Sequence, residues 1–190
     1  MDEPQAITRL KQGDLTGLEF LVRQYQVKAV HTATLVTGDP ALAEDLVQSA
    51  FLRLAHTIDQ FDDQRPFRPW FLRSVVNAAV KAAKRQQRSQ SLDEPTEAVV
   101  RWLLDTGPQP EALVETSELR QTVWSAIQQL TPEQRAVIVQ RHFLDMSEAE
   151  MVASFQRPAS TVKWWLHTAR NRLKNLLGAY RNEAENEHEE

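Results

Sequence analysis

Six side chains suited to holding a nucleic-acid strand recur at three- and four-residue intervals late in the first half of the chain. They are Trp70, Arg73, Asn77, Lys81, Lys84 and Arg88. Each residue of a helix turns by about 100°, so this spacing places all six on one face. Cations bind phosphates, while an aromatic ring and an amide contact bases exposed by unpairing. The pattern predicts a surface for a DNA strand.

Two phenylalanines near the preceding loop extend this interpretation. Phe61 and Phe67 would offer walls for a base that is flipped out of the stack. Phe67 taken alone is better explained as a core residue, since large apolar side chains are usually buried. We nevertheless include Phe67 with the six residues above as a candidate DNA contact.

A second candidate surface lies near the end of the chain, where residues 151–182 contain no carboxylate. This segment is typical of a short helix, a turn marked by Pro158, and a longer helix with one apolar and one basic face. That arrangement outlines a helix-turn-helix, whose second helix enters the major groove. The side chains predicted to contact DNA here are Arg157, Ser160, Thr161, Lys163, Trp164, His167 and Arg170.

The charges of the chain are segregated along the sequence. The net charge is −4, from 22 basic and 26 acidic residues, yet residues 64–92 also contain no acid. Acids gather in residues 93–118 and after Arg181. Two basic surfaces on an acidic protein favour two contacts with nucleic acid. The alternative is that both are ordinary solvated helix faces.

Composition excludes several other kinds of protein. With no cysteine there are no disulfides or thiolate metal sites, and the chain is compatible with a reducing cytosol. The five histidines lack metal-ligand spacing, and no glycine-rich loop is present to cradle phosphates. No apolar run approaches the ~20 residues that span a bilayer, and the first residues do not form a signal peptide. We therefore expect a cytoplasmic protein that is not an enzyme, with no catalytic residue, metal, cofactor or membrane insertion.

Apolar residues at helical spacing and only five glycines predict an all-α fold with two small domains. The first domain spans residues 1–88, with helices near 4–12, 15–36, 40–57 and 67–88. A linker follows at residues 89–112, containing an apolar run at 99–104. The second domain spans residues 113–180, with helices near 113–129, 132–143, 147–155 and 158–177. Residues 181–190 form an acidic tail that we expect to be disordered.

A third candidate surface lies on the helix at 41–56. Its polar side holds Asp45, Gln48 and Ser49 together with Leu52. A leucine among polar residues marks a candidate protein-binding patch, although single exposed leucines are common.

These surfaces, in this order, resemble the extracytoplasmic-function (ECF) group of bacterial sigma-70 family sigma factors. The resemblance covers about residues 10–178. It rests on residues 43–51 (AEDLVQSAF) and 70–77 (WFLRSVVN) in region two, and on residues 130–135 (LTPEQR) and 161–163 (TVK) in region four.

The resemblance implies a factor that directs bacterial RNA polymerase core to specific promoters and stabilises melting of the −10 element. Asp45, Gln48 and Leu52 would bind the polymerase. The basic face of region two would hold the melted −10 element, and Lys163 and His167, with the helix start, would read the −35 element. Many members are held inactive by a membrane-bound anti-sigma factor, which would be a further partner.

The chain departs from the family pattern at several positions. Gln156 and Ser160 stand where glycine is usual, and Gln156 must tolerate or avoid a left-handed conformation. Trp164 and Trp165 replace a usual Ser-Arg pair, so the family's −35 sequence cannot be transferred to this chain.

These departures motivate one alternative, a sigma-like decoy that binds a regulator or polymerase without recognising promoters. A one-domain repressor is a further alternative, but it leaves the Asp45, Gln48 and Leu52 patch unexplained.

Overall fold

The structure is a computed structural model that describes residues 1–89 and 113–187, with side chains for 1–87 and 120–178. Helices form nearly all of these residues, and no strand occurs in them, so the predicted all-α fold class is confirmed. The chain divides into two compact units, residues 1–85 and 86–190. Most of the expected linker, including its apolar run at 99–104, lies outside the described residues.

The first unit is built from four helices and one short 3-10 turn. The helices are α1 (Glu3–Lys11), α2 (Thr16–Thr37), α3 (Pro40–Thr57) and α4 (Phe67–Ser89), with the 3-10 turn at Ile58–Gln60 between α3 and α4. Helix α2 packs against both α1 and α3. All four helices begin within two residues of the positions predicted from sequence.

Local chemistry at the helix ends explains these boundaries. Gly38 ends α2 in a left-handed conformation with φ of 78°, which glycine adopts without steric cost. Asp39 then caps α3, accepting a hydrogen bond from the Leu42 backbone N–H, and Pro40 occupies the first helical position. This Gly-Asp-Pro sequence therefore sets the reversal between α2 and α3.

Aromatic rings join α2, α3 and α4 in the core of the first unit. The ring centroid of Phe67 lies 5.5 Å from that of Tyr25, 5.4 Å from Phe61, 5.9 Å from Trp70 and 5.8 Å from Phe71. Phe67 is only 1% exposed. The prediction that Phe67 contacts DNA is therefore wrong for this conformation, because its ring is enclosed by four others.

The buried side of α4 is broad. Phe71, Val75 and Ala79 are buried, whereas Ala78 and Ala82 are only half-buried. The buried side also includes Leu72, Val76, Val80 and Ala83. Buried residues at both i+3 and i+4 spacing give a wide apolar face that anchors α4 firmly in the unit.

The second unit contains α5 (Leu113–Gln128), α6 (Pro132–His142), α7 (Glu148–Phe155) and α8 (Ala159–Glu187). Helix α8 packs against each of the other three. Thr131 and Ser147 begin α6 and α7 with capping boxes, in which the side chain at the third helical position returns a hydrogen bond to the cap. Both helix starts are therefore specified by residues next to them in the sequence.

Two polar side chains are buried between the helices of this unit. The Arg135 guanidinium donates to the backbone oxygens of Gln128 at 2.8 Å and Leu130 at 3.0 Å, where α5 ends. Burial lowers the pKa of Arg135 to about 10, so it stays protonated at neutral pH. Gln140 donates to the Ser154 hydroxyl at 2.8 Å and ties α6 to α7. Both contacts fix helix ends that apolar packing alone would leave free to slide.

The last helix is longer than expected. The sequence predicted an end near residue 177 and a disordered acidic tail, but α8 continues to Glu187. No proline follows Gly178, and the glutamates and alanine after it are good helix formers. The expectation of disorder is therefore wrong up to residue 187, and residues 188–190 lie outside the described residues.

Helices α1 and α2 approach closely at Gly17. A Cβ atom added there would stand 2.2 Å from the carbonyl oxygen of Ala6 and 2.9 Å from the backbone nitrogen of Leu10. Backbone atoms cannot rotate aside as a side chain can, so a larger residue must push the helices apart.

We predict that Gly17→Ala lowers the free energy of unfolding by about 1–3 kcal/mol, the usual cost of overpacking. Gly178→Ala is the matched control, because its added Cβ would meet no atom within 4 Å and alanine favours helix. That variant should be neutral or more stable by up to about 1 kcal/mol. Urea unfolding of the full chain, followed by far-ultraviolet circular dichroism, measures both. Equal midpoints for the two variants would contradict the close approach.

Candidate nucleic-acid interface

The first candidate surface is a row of side chains on α4, which we call the α4 stripe. It comprises Trp70, Arg73, Asn77, Lys81 and Lys84. Lys81 is exposed, and the other four are half-buried. They lie within about 80° of one another around the helix, at about 100° per residue. The predicted stripe therefore shares one side of α4, and the side chain of Arg88 lies outside the described side chains.

The loop before α4 is tied down from both ends. Lys11 of α1 donates to the Phe61 carbonyl oxygen at 3.0 Å and to an Asp63 carboxylate oxygen at 2.8 Å. Asp62 accepts from the Gln64 backbone N–H and pairs with Arg65 at 3.3 Å. The Phe61 ring is only 4% exposed and packs 5.1 Å from the Trp70 ring. Phe61 and Phe67 therefore position Trp70 rather than form an open pocket.

The surface on α3 consists of Asp45, Gln48 and Leu52, and we call it the α3 patch. All three are exposed, and Leu52 is 61% exposed. The buried side of the same helix carries Val47 and Leu54, each 2% exposed. Because the patch lies opposite well-packed residues, it is presented on a fixed helix face.

The turn between α7 and α8 is formed by Gln156. It adopts a left-handed conformation with φ of 52° and ψ of 45°, and its N–H donates to the Val152 carbonyl oxygen. A non-glycine residue pays about 1–2 kcal/mol for this conformation. The helix-turn-helix therefore keeps its left-handed turn despite the missing glycine, with a local strain that the surrounding packing absorbs.

The remaining surface is the outward side of α8 together with the turn before it, and we call it the α8 face. Six of the seven predicted contacts are exposed: Arg157, Ser160, Lys163, Trp164, His167 and Arg170. Thr161 is half-buried. The amide nitrogen of Asn171 lies 2.9 Å from Nε2 of His167 and adds a polar neighbour to this face. The inward side packs through Val162, Leu166 and Ala169, which are 1%, 5% and 0% exposed.

The sequence pattern did not predict that an acid lies beside the α8 face. Glu148, at the start of α7, places a carboxylate oxygen 3.4 Å from the Lys163 ammonium group. The two residues are too far apart in sequence for any helical spacing to connect them. Only the packing of α7 against α8 brings this negative charge to a face that is acid-free in sequence.

Among the described residues, no group of three or more His, Cys, Asp or Glu side chains is arranged to bind a metal ion. Within the same residues, no helix has the length and apolar character to cross a membrane.

Both units match models of known protein families. The family model for sigma-70 region 2 matches residues 21–89, and that for sigma-70 region 4 matches residues 120–173. The RNA polymerase sigma-E factor of Streptomyces antibioticus is 31% identical over 173 residues, covering 88% of each chain. The chain belongs to the sigma-70 family.

Other relatives place this sigma factor in the ECF group. The ECF RNA polymerase sigma factor SigW of Bacillus subtilis is 29% identical over 176 residues, covering 90% of this chain and 94% of the relative. The solved structure of the sigma factor RpoE with the anti-sigma factor NepR from Bartonella quintana shares the fold. It has a TM-score of 0.59 at 19% identity, covering 84% of this chain and 97% of that one. The chain is an RNA polymerase sigma factor, and the decoy alternative is not favoured.

We predict that Glu148→Gln strengthens binding of the polymerase–sigma holoenzyme to promoter DNA by up to about fivefold at low salt. The reason is that removal of this exposed acid frees Lys163 for DNA, and exposed pairs are worth about 0.2–1 kcal/mol. The effect should shrink as salt screens the charges.

Glu19→Gln is the matched control, because Glu19 forms a similar exposed pair with Arg23 at 2.7 Å on α2. It should leave promoter affinity unchanged. Titration of holoenzyme with labelled promoter at several salt concentrations measures both variants. A gain in affinity for both, or for neither, contradicts a local effect of Glu148 on the α8 face.

Proposed function

We propose that this sigma factor uses its three surfaces for three separate contacts during initiation. The α3 patch binds core RNA polymerase. The α4 stripe holds one unpaired strand of the −10 element, and the α8 face contacts the duplex −35 element. On this proposal, residues 1–88 act as region two, residues 113–180 as region four, and residues 89–112 as the linker. We assign no covalent step to this chain, and its place of action is the cytoplasm, with the polymerase.

The observation that carries the proposal is the pairing of a basic outer side with a wide apolar inner side on α4. Residues 64–92 contain no acid, and eight residues of α4 are buried on its inner side. A helix held in this way keeps its cations in place while a strand binds, so little ordering entropy is lost on contact. Trp70 adds a ring, half-buried against Phe61, at the end of the row nearest the loop.

The proposed mechanism is differential binding. Duplex DNA is in equilibrium with locally unpaired DNA, and a surface that binds only the unpaired strand shifts that equilibrium toward opening. Asn77 has both a donor and an acceptor for the edge of an unpaired base, and Trp70 has a ring for stacking. The cations of the stripe hold the strand backbone. Promoter opening then needs no chemical step from the sigma factor.

Regulation by an anti-sigma factor is a second part of the proposal. The solved relative from Bartonella quintana was captured with such a partner. A protein that covers the α3 patch would prevent polymerase binding without touching the DNA surfaces.

We predict that Leu52→Ala weakens binding to core RNA polymerase by about fivefold or more, since truncation of a residue that is central to binding costs over 1 kcal/mol. Leu15→Ala is the control, because Leu15 is similarly exposed, at 65%, but lies outside α3, immediately before α2. Competition against labelled sigma factor for a fixed amount of core enzyme gives both affinities. Equal affinities for the two variants would remove Leu52 from the polymerase contact.

We predict that Asn77→Ala reduces open-complex formation on a duplex promoter by about tenfold, the effect of losing one or two base contacts. Binding to core polymerase should be unchanged. Gln24→Ala, an exposed amide on α2, is the control. The readout is reactivity of unpaired thymines to permanganate within the −10 element. Undiminished opening by the Asn77 variant would contradict the role of the α4 stripe.

A further inference from the structure

The indole of Trp164 is an unusual side chain to find on the α8 face. It is 61% exposed, although large aromatic residues are mostly buried. Its sequence neighbour Trp165 is half-buried and packs edge-on against Phe155, with ring centroids 5.5 Å apart. Packing within the unit therefore accounts for Trp165 and leaves Trp164 unexplained.

The position of Trp164 around α8 separates it from the core and from the cations. At about 100° per residue, it lies about 160° from both Val162 and Leu166, which are buried. Ser160, His167 and Asn171 lie within about 60° of it on the same calculation. Trp164 is therefore at the centre of the exposed side, among uncharged or weakly basic side chains.

The strongly basic residues of α8 lie at the flanks of this side. Lys163, Arg170 and Lys174 are about 80–120° from Trp164 in one direction, and Arg172 is about 80° away in the other. All four are exposed. A helix of about 10–12 Å diameter nearly fills a major groove of about 12 Å, so its flanks face the two phosphate backbones and its centre faces the base edges. Trp164 would thus meet bases rather than phosphates.

The chemistry of indole limits what it can recognise there. It offers one N–H donor and a broad apolar surface, and it has no acceptor. In the major groove, the apolar group on a base edge is the 5-methyl group of thymine. A second protein as the occupant is disfavoured by charge, because cations line both flanks of this side of α8 and residues 151–182 contain no acid. A polyanion fits these surroundings.

We propose that Trp164 is a specificity-determining residue that recognises the 5-methyl group of a thymine in the upstream promoter element. This inference rests on the proposed contact between the α8 face and the −35 element. It assigns a base preference to a position where the sequence departs from its family.

The experiment deletes the methyl group without altering any hydrogen bond. Holoenzyme first selects promoters from a random library, and each thymine of the upstream element is then replaced in turn by deoxyuridine. With the wild-type protein, replacement at one or two positions should weaken binding about fourfold, the effect of burying one methyl group. The Trp164→Ala variant should bind the thymine promoter more weakly and show the same affinity for thymine and deoxyuridine at those positions.

Two further variants separate reading of the methyl group from general binding. Trp164→Phe should retain part of the discrimination, because a phenyl ring also offers apolar surface. His167→Ala should weaken binding yet keep the full difference between thymine and deoxyuridine. Trp164 is exposed, so loss of folding is not expected, and circular dichroism of each variant checks this.

The outcomes distinguish this inference from the proposed function. If scrambling the whole upstream element leaves wild-type affinity unchanged, the proposed role of the α8 face is wrong. If scrambling weakens binding but the wild type does not distinguish thymine from deoxyuridine, the assignment of Trp164 alone is overturned. The same holds if Trp164→Ala still discriminates between the two bases.

Discussion

The packing of aromatic rings around Phe67 is the interaction on which the first unit depends. Phe67 is the first residue of α4, and its ring touches rings from α2, from the preceding loop and from the next turn of α4. A second contact, between Phe51 and Phe71 at 4.6 Å, extends the cluster to α3. Apolar packing thus sets the start and direction of α4. It thereby also fixes where the side chains on the outer side of the helix lie. The α4 stripe is held in place because the residues behind it are buried and packed.

The α8 face depends on a similar division of labour in the second unit. Val162, Leu166 and Ala169 bury the inner side of α8, and capping boxes at Thr131 and Ser147 fix where α6 and α7 begin. In both units burial of apolar side chains supplies most of the stability. The cations of the α4 stripe and the α8 face lie outside the apolar core, unlike Lys11 and Arg135, which bind the protein's own backbone. This separation explains how an acidic protein can present two basic surfaces.

Much of the fold was predictable because its signals are local. Gly38, Asp39 and Pro40 specify one reversal, and the Thr and Ser caps specify two helix starts, each within a few residues of sequence. The outward and inward sides of α8 followed from helical spacing. Phe67 was included among the DNA contacts although a signal for its burial existed, since it stands four residues before Phe71 on the core side. The proximity of Glu148 to Lys163 had no such signal, because it arises only when α7 packs on α8. The extra length of α8 was missed because the acidic residues after Arg181 were taken to favour disorder, although no proline ends the helix there.

Arg135 carries a consequence for how the charge of the second unit should be counted. Its guanidinium is bound to two carbonyl oxygens at the end of α5 and is 8% exposed, so it cannot reach a phosphate group. A polyanion bound to α8 therefore displaces condensed counterions only through the side chains that face outward. The number of counterions released on binding is therefore smaller than the number of arginines and lysines in the sequence, because some of these cations bind the protein's own backbone instead.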